Sequence, residues 1–442
     1  MLTLYKFLKI SIPKILIACL ACYVNSSYAA LSGVYTLDPS QPASATNYQT
    51  LNSFASDLYG GTRADLGTVN GPGISASVVL RVASGITLTE QVEFRAATGA
   101  SATRTITIKG NLSTVQFTAT VATSKHTIWL NGAKFYTFDS LNVYANSATL
   151  AWGIRFSNDA SNNVIRNCSV LCTSISSGVA TSTTSTTTQA AICFTASTSI
   201  LDFTPNSATS GGNNGSNNLV TNCTIGGTST TLGPTYGIYE MLTTTTGNNS
   251  YINNKIQHFY QEGLSCHTAD GIVITGNDFN RQGNTTTPGV ILKAVNLYNN
   301  VRCTNNPITV SNNVFHDIST TSTLYAFYHI NNSTYITSHN GGGRLSSFTN
   351  NKVFNFVTTS SILYPVYIYQ IRNSGGYSCA NNEVYKNYNS SSLYGIYTFN
   401  VDKMASNANI VRNNKASTFY GNYDGGSSTA STFTNNLIYK NV

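Results

Sequence analysis

The chain has 442 residues and a formal charge of +8, yet only 9% of it is Asp, Glu, Lys or Arg, against about a quarter in an ordinary domain. No Lys/Arg cluster is present to contact phosphates, which excludes a nucleic-acid partner, and after residue 29 no stretch is apolar for long enough to span a membrane. The cysteines form no paired CxxC motif and no loop is rich in Asp, so no metal is expected, and no cofactor.

In chain order, Lys6, Lys9 and Lys14, the apolar run Ile15–Val24 and the small-x-small site Ser27-Tyr28-Ala29 read as a signal peptide over 1–29. The mature protein is then secreted, extracellular or held at the cell surface. Residues 30–75 read as an N-terminal cap. Asn47 is placed to N-cap a short helix carrying Leu51, Phe54, Ala55 and Leu58 on one side, and such a helix would shield the first strand edges. Residues 76–442 are a run of short strands, starting with Val78–Val82, Gln91–Phe94, Thr105–Ile108, Val115–Ala119, Thr127–Leu130 and Phe135–Phe138.

Two motifs then alternate. One is apolar-x-Asn-(Asn/Cys)-x-apolar, at Ile165–Val170, Val220–Ile225, Tyr251–Ile256, Ile274–Phe279 (with Gly276 for the first Asn), Val310–Phe315, Phe348–Val353, Cys379–Val384, Val411–Ala416 and Phe433–Ile438, after a degenerate copy at Phe138–Val143. The other is a small residue, usually Gly after an aromatic, followed by an apolar strand: Trp152–Phe156, Ala190–Phe194, Tyr236–Glu240, Glu262–Cys266, Pro288–Leu292, Tyr325–His329, Tyr364–Ile368, Tyr394–Thr398 and Tyr420–Asp424. Copies of the Asn motif recur about every 22 to 38 residues, in the range of solenoids and propellers. Three strands and one tight turn per repeat fit a parallel β-helix; a propeller blade needs four antiparallel strands. Asn tolerates the positive φ of a tight bend. Equivalent amides in coils about 4.8 Å apart can also hydrogen-bond along the axis.

These motifs, with the leader segments Leu31–Leu37, Val78–Gly85 and Ala97–Ile108, resemble the right-handed parallel β-helix proteins of the pectate-lyase-like superfamily, in particular bacterial adhesin-like members. The resemblance implies an all-β fold, a right-handed parallel β-helix of about twelve coils with a small N-terminal cap containing a short helix. It is silent on activity, because the superfamily hosts lyases, hydrolases, adhesins and inert fibres.

Polar inserts at Thr173–Gln189, Thr195–Ser216, Asn296–Pro307 and Asn331–Ser346 lie beside the Gly strands and are expected to be surface loops bordering a groove. If the aliphatic after Gly points inward, the next residue points out. That outward column reads Arg155, Cys193, Tyr239, Ser265, Ile291, Tyr328, Tyr367, Tyr397 and Tyr423. From it, Arg155, Tyr239, Tyr328, Tyr367, Tyr397 and Tyr423 are candidates to bind a glycan, stacking sugar C–H faces on rings. The densest ionisable set is Glu240, Glu262, His267, Asp270 and Lys293. Glu240 is expected inward or at a strand end with a raised pKa, and His267 and Lys293 outward in one shared column. The set could supply a general acid and base, or be an ordinary polar patch. Cys168 and Cys223 hold the same repeat position, with a spacing that suits a disulfide or two stacked core thiols. The last coil shows no cap, which points to self-association through residues 419–442. The reading is an exported protein that binds a polysaccharide or cell-surface glycan. A polysaccharide lyase or glycoside hydrolase, and a structural fibre subunit, are the alternatives.

Overall fold

The computed structural model describes residues 30–121, 124–173, 189–195, 214–228, 233–241, 247–284, 288–302, 305–330, 344–371, 375–426 and 431–442. The expected signal peptide, and most of the inserts at Thr173–Gln189, Thr195–Ser216 and Asn331–Ser346, lie outside these residues.

The described chain winds as a right-handed parallel β-helix, an all-β tube with a single helix. Each complete coil contributes one strand to each of three stacks. The first stack is a 14-stranded sheet that includes Leu31–Leu37, Ile74–Val82, Ile106–Lys109 and, at its far end, Thr432–Thr434. The second stack begins at Thr87–Thr89 and Thr114–Phe117 and then follows the Asn motif, from Asn142–Ala145 to Leu437–Tyr439. The third begins at Val92–Arg95 and His126–Asn131 and then follows the small residue, through Trp152–Ser157, Tyr236–Met241, Glu262–Asp270, Leu292–Arg302, Leu324–Ile330 and Leu363–Tyr369 to Lys415–Asp424. Within each stack, neighbouring strands pair in parallel from one coil to the next.

Alternation along the strands sends one set of side chains into the tube. Ile165, Val220, Tyr251, Ile274, Val310 and Phe348 form one such row, all at most 1% exposed. Burial of rows like these, at about 25 cal/mol per Å² of apolar surface, is the main source of stability.

The helix, Leu51–Gly60, buries Leu51, Phe54, Ala55 and Leu58 as expected, but its N-cap is Thr50, whose hydroxyl accepts from Ser53 N. Asn47 instead lies in the short strand Asn47–Tyr48, where its Oδ1 accepts from Thr36 Oγ1 and Asp38 N. Glu90 accepts from Leu51 N at 2.9 Å and Asn52 N at 3.1 Å. That places a carboxylate on the helix's unsatisfied first N–H groups and pins the helix to the coils.

The Asn pair divides its labour. The first residue supplies the positive φ: Asn167, Asn222, Asn253, Asn312, Asn350, Asn381 and Asn435 lie between 53° and 57°, and Gly276 is at 68°. The second points inward. Asn254, Asn277, Asn313, Asn351, Asn382, Asn409 and Asn436 form a ladder in which each Nδ2 donates to the next Oδ1 at 2.9–3.1 Å. Each Oδ1 also accepts the preceding Asn backbone N–H, as Asn351 does from Asn313 N at 2.9 Å. Buried donors and acceptors at this corner are thereby satisfied.

Asn413-Asn414 corrects the expected register. The corner equivalent to Asn381-Asn382 is Ala408-Asn409, whereas Asn414 belongs to a separate ladder, Asn387–Asn414–Asn441, between the second and third stacks. Asn163, Asn218 and Asn249 form a further ladder between the third and first stacks. Cys168 and Cys223 occupy the main ladder's position in earlier coils. They are free thiols donating to backbone carbonyls, Cys168 to Arg166 O at 3.1 Å and Cys223 to Thr221 O at 3.2 Å, so the core-thiol alternative holds and no disulfide forms.

Candidate functional site

The outward face of the third stack carries the site. Its strands repeat a Tyr-small-apolar-Tyr pattern at Tyr325-Ala-Phe-Tyr328, Tyr364-Pro-Val-Tyr367 and Tyr394-Gly-Ile-Tyr397, with Tyr420-Gly-Asn-Tyr423 in the last coil. The small position packs against the next coil and a second-stack side chain. A Cβ on Gly395 would come within 2.5 Å of the Gly421 carbonyl oxygen and 2.9 Å of Val411 Cγ1. Two consecutive residues, Ala326 and Phe327, are therefore buried, and the tyrosines three apart both emerge. Simple alternation anticipates only the second of them.

Two tyrosine columns result. Tyr328, Tyr367, Tyr397 and Tyr423 stack with ring centroids 5.2, 4.8 and 5.0 Å apart and planes within 9° of parallel. Tyr325, Tyr364, Tyr394 and Tyr420 stack likewise at 5.2, 5.1 and 4.5 Å, with planes within 16° of parallel. The two columns meet edge to face, as in Tyr394 with Tyr397 at 87°. Tyr369 and Phe399 begin a third column, 5.0 Å apart. The rings are half-buried, and Tyr420 and Tyr423 reach 38% and 37% exposure. Because ring faces are covered by the rings above and below, edges and hydroxyls are what the surface offers. Burial, reinforced by neighbouring phenols, pushes the Tyr328 and Tyr364 hydroxyls up to about 12, so they stay protonated and able to donate.

The same columns run back through the earlier coils with different occupants. Arg155, Cys193, Tyr239, Ser265 and Asn296 precede Tyr328 in register. Ile291 is not among them, because the strand begins at Leu292 and continues to Arg302, through most of the segment expected to be the Asn296–Pro307 loop. Arg155 and Tyr239 are outward but fully buried, which corrects their expected place on an open groove. Arg155 lies 4.5 Å from the Trp129 ring and donates from Nε to Thr195 Oγ1. Tyr239 joins Trp152, Ala190, Cys193 and Met241 in a second apolar cluster outside the tube.

Of the ionisable set, three residues come together at the junction of the covered and open regions. Lys293 Nζ lies 3.2 Å from Glu262 Oε1 and 4.5 Å from the Tyr328 ring, closing the head of that column. Asn296 Nδ2 donates to Glu262 Oε2 at 2.9 Å, and His267 Nε2 lies 2.9 Å from Ser265 Oγ. Burial acts to raise the Glu262 pKa, but the Lys293 charge and the surrounding donors outweigh it and hold the carboxyl below its usual value. Lys293 is in register with Glu262 and Tyr325, while His267 aligns with Tyr298, so the two do not share a column as expected.

The other two face elsewhere. Glu240 points into the tube, accepts from Tyr251 Oη at 2.6 Å and Asn249 Nδ2 at 2.9 Å, and is raised to about 7 by burial. Asp270, at the strand end, accepts from Asn305 N and Nδ2 and fixes the next loop.

The three stacks and their Asn corners define the class of protein, a right-handed parallel β-helix. Among solved structures the chain is similar to the Streptococcus pneumoniae surface protein and adhesin PfbA, at 12% identity and a TM-score of 0.39 over 82% of this chain and 92% of that one. It is also similar to pectate lyase Pel9A, at 12% identity and 0.34 over 92% and 83%, and to an alginate lyase from Paenibacillus sp. str. FPU-7, at 11% and 0.28 over 92% and 98%. No protein-family model matches the sequence, and no curated protein does. Likenesses at this level say nothing of a substrate. Among the described residues no helix is long and apolar enough to cross a membrane.

Proposed function

We propose that this is an exported surface protein that holds a polysaccharide along its tyrosine face. The observation that carries the reading is the pair of tyrosine columns, in register over four coils and placed outside the core. Coils are about 4.8 Å apart, so an extended pyranose chain laid along the axis advances by about one sugar per coil. Each sugar then meets the same pair of phenols. Contact is with ring edges and hydroxyl tips, apolar and polar groups side by side, rather than by flat stacking.

A lyase or hydrolase has less behind it. Glu262 is bound to Lys293 and Asn296, Glu240 lies on the inner side of its strand, and Asp270 holds a loop. The test is native electrophoresis in gels containing soluble polysaccharides, comparing wild type with a Tyr328→Ala, Tyr367→Ala, Tyr397→Ala variant. Wild type should be slowed by at least one polymer and the variant should not be. Equal slowing of both would end the reading, and new reducing or unsaturated ends in the polymer would favour the enzyme.

A further inference from the structure

Among the described residues the two tyrosine columns are flanked by little charge, and that restricts what the face can hold. Residues 318–330, 353–371, 387–401 and 416–423 contain no Asp, Glu, Lys or Arg. These segments cover the first three tyrosine-bearing strands whole and the fourth except for its end residues, Lys415 and Asp424. Of the described charged groups, the one set against a ladder ring of these two columns is the Lys293 ammonium over Tyr328, and its charge is met by Glu262.

We infer that the ligand of this face is an uncharged polysaccharide and not a polyuronate or other acidic polymer. The inference rests on the glycan reading above and narrows it. A polyuronate would bring a carboxylate with every sugar. Laid on the columns, each carboxylate would lose part of its hydration and gain no cation in return, a cost that phenol donors offset only in part. A neutral chain carries no such penalty. Its hydroxyls exchange water for tyrosine hydroxyls, which both donate and accept. Its C–H groups cover the apolar ring edges. Binding without ion pairs also has a signature, since added salt screens charges and leaves this contact alone.

The full mature chain is run in native gels containing hydroxyethyl cellulose, galactan, polygalacturonate or alginate, at low and at high sodium chloride. A neutral polymer should slow it with an affinity at least about tenfold above that for either uronate, a difference of about 1.4 kcal/mol. That affinity should be unchanged by salt and lost in the triple alanine variant. Binding of polygalacturonate or alginate as tight as that of any neutral polymer, weakened by salt and lost in the variant, overturns the inference and leaves the glycan reading standing. Retardation by no polymer, or retardation that the variant retains, overturns the glycan reading and the inference with it.

Discussion

From Trp152 to His267 the outward positions of the third stack are sealed, and from Tyr325 to Tyr423 the same positions are open. Strand pairing is continuous across the boundary, so the two regions differ in side chains and cover rather than in backbone plan. The sealed region holds Arg155 against two tryptophans and Tyr239 in its own apolar cluster. The two longest polar inserts of the sequence, Thr173–Gln189 and Thr195–Ser216, flank its strand Ala190–Phe194. One repeated scaffold thus gives a second core in one place and an open aromatic face in another. Orientation and accessibility are separate properties of a column.

The largest effect should separate the two regions directly. Tyr239→Ala empties a fully buried site and should cost about 3–5 kcal/mol in urea denaturation. Tyr397→Ala removes stacking from a half-exposed ladder and should cost about 1–2 kcal/mol. Equal costs would mean that the two regions are not different environments.

Next comes Glu240, on the inner side of the sealed region, whose pKa rises from 4.5 to about 7 on burial. The folded protein holds this proton more tightly than the unfolded chain does, so the group penalises folding as pH rises. The penalty is absent below 4.5, grows between 4.5 and about 7, and is complete above. Glu240→Gln mimics the protonated acid. It should match wild type at about pH 4 and exceed it by about 3 kcal/mol at about pH 8. A difference independent of pH would show the carboxylate to be solvated.

The main Asn ladder tests the inner side of the open region. Asn351→Ala leaves the Asn313 N–H groups without their acceptor and should cost about 2–3 kcal/mol. Asn350→Ala keeps the ladder and meets only the strain of a positive φ, about 1 kcal/mol. If Asn350 proves the more costly, the division of labour within the pair is wrong.

The smallest effect concerns the surface hydroxyls. Tyr328→Phe, Tyr367→Phe and Tyr397→Phe together keep the rings and should change stability by less than about 0.5 kcal/mol each. Polysaccharide retardation should still weaken, and no weakening would assign the contact to ring edges alone.

Much of the fold could be read in advance because its rules are local. A tight corner needs positive φ, so Asn or Gly recurs there and marks most coils, with Ser140 and Ala408 as exceptions. Alternation then assigns inward and outward sides. The site was less legible for three reasons. Two consecutive buried residues, starting at Ala326, Pro365 and Gly395, displace the alternation and hide the Tyr325 column, although the repeated Tyr-small-apolar-Tyr spacing was a usable signal. The strand expected at Pro288–Leu292 begins only at Leu292, because a small residue alone does not fix register. Alternation also tells which way Arg155 and Tyr239 point, and nothing of what lies over them.

The Asn ladders bear on how this molecule can change in length. Asn382, Asn409 and Asn436 succeed one another at 27 residues, as do Asn387, Asn414 and Asn441 at another corner. Excising residues 382–408 would bring Asn409 beneath Asn351 and Asn414 beneath Phe356, with both ladders resealed and each tyrosine column one rung shorter. The coil is therefore an exchangeable module. The tyrosine face can be lengthened or shortened in whole-rung steps, and with it, on the reading proposed above, the avidity for a long polymer.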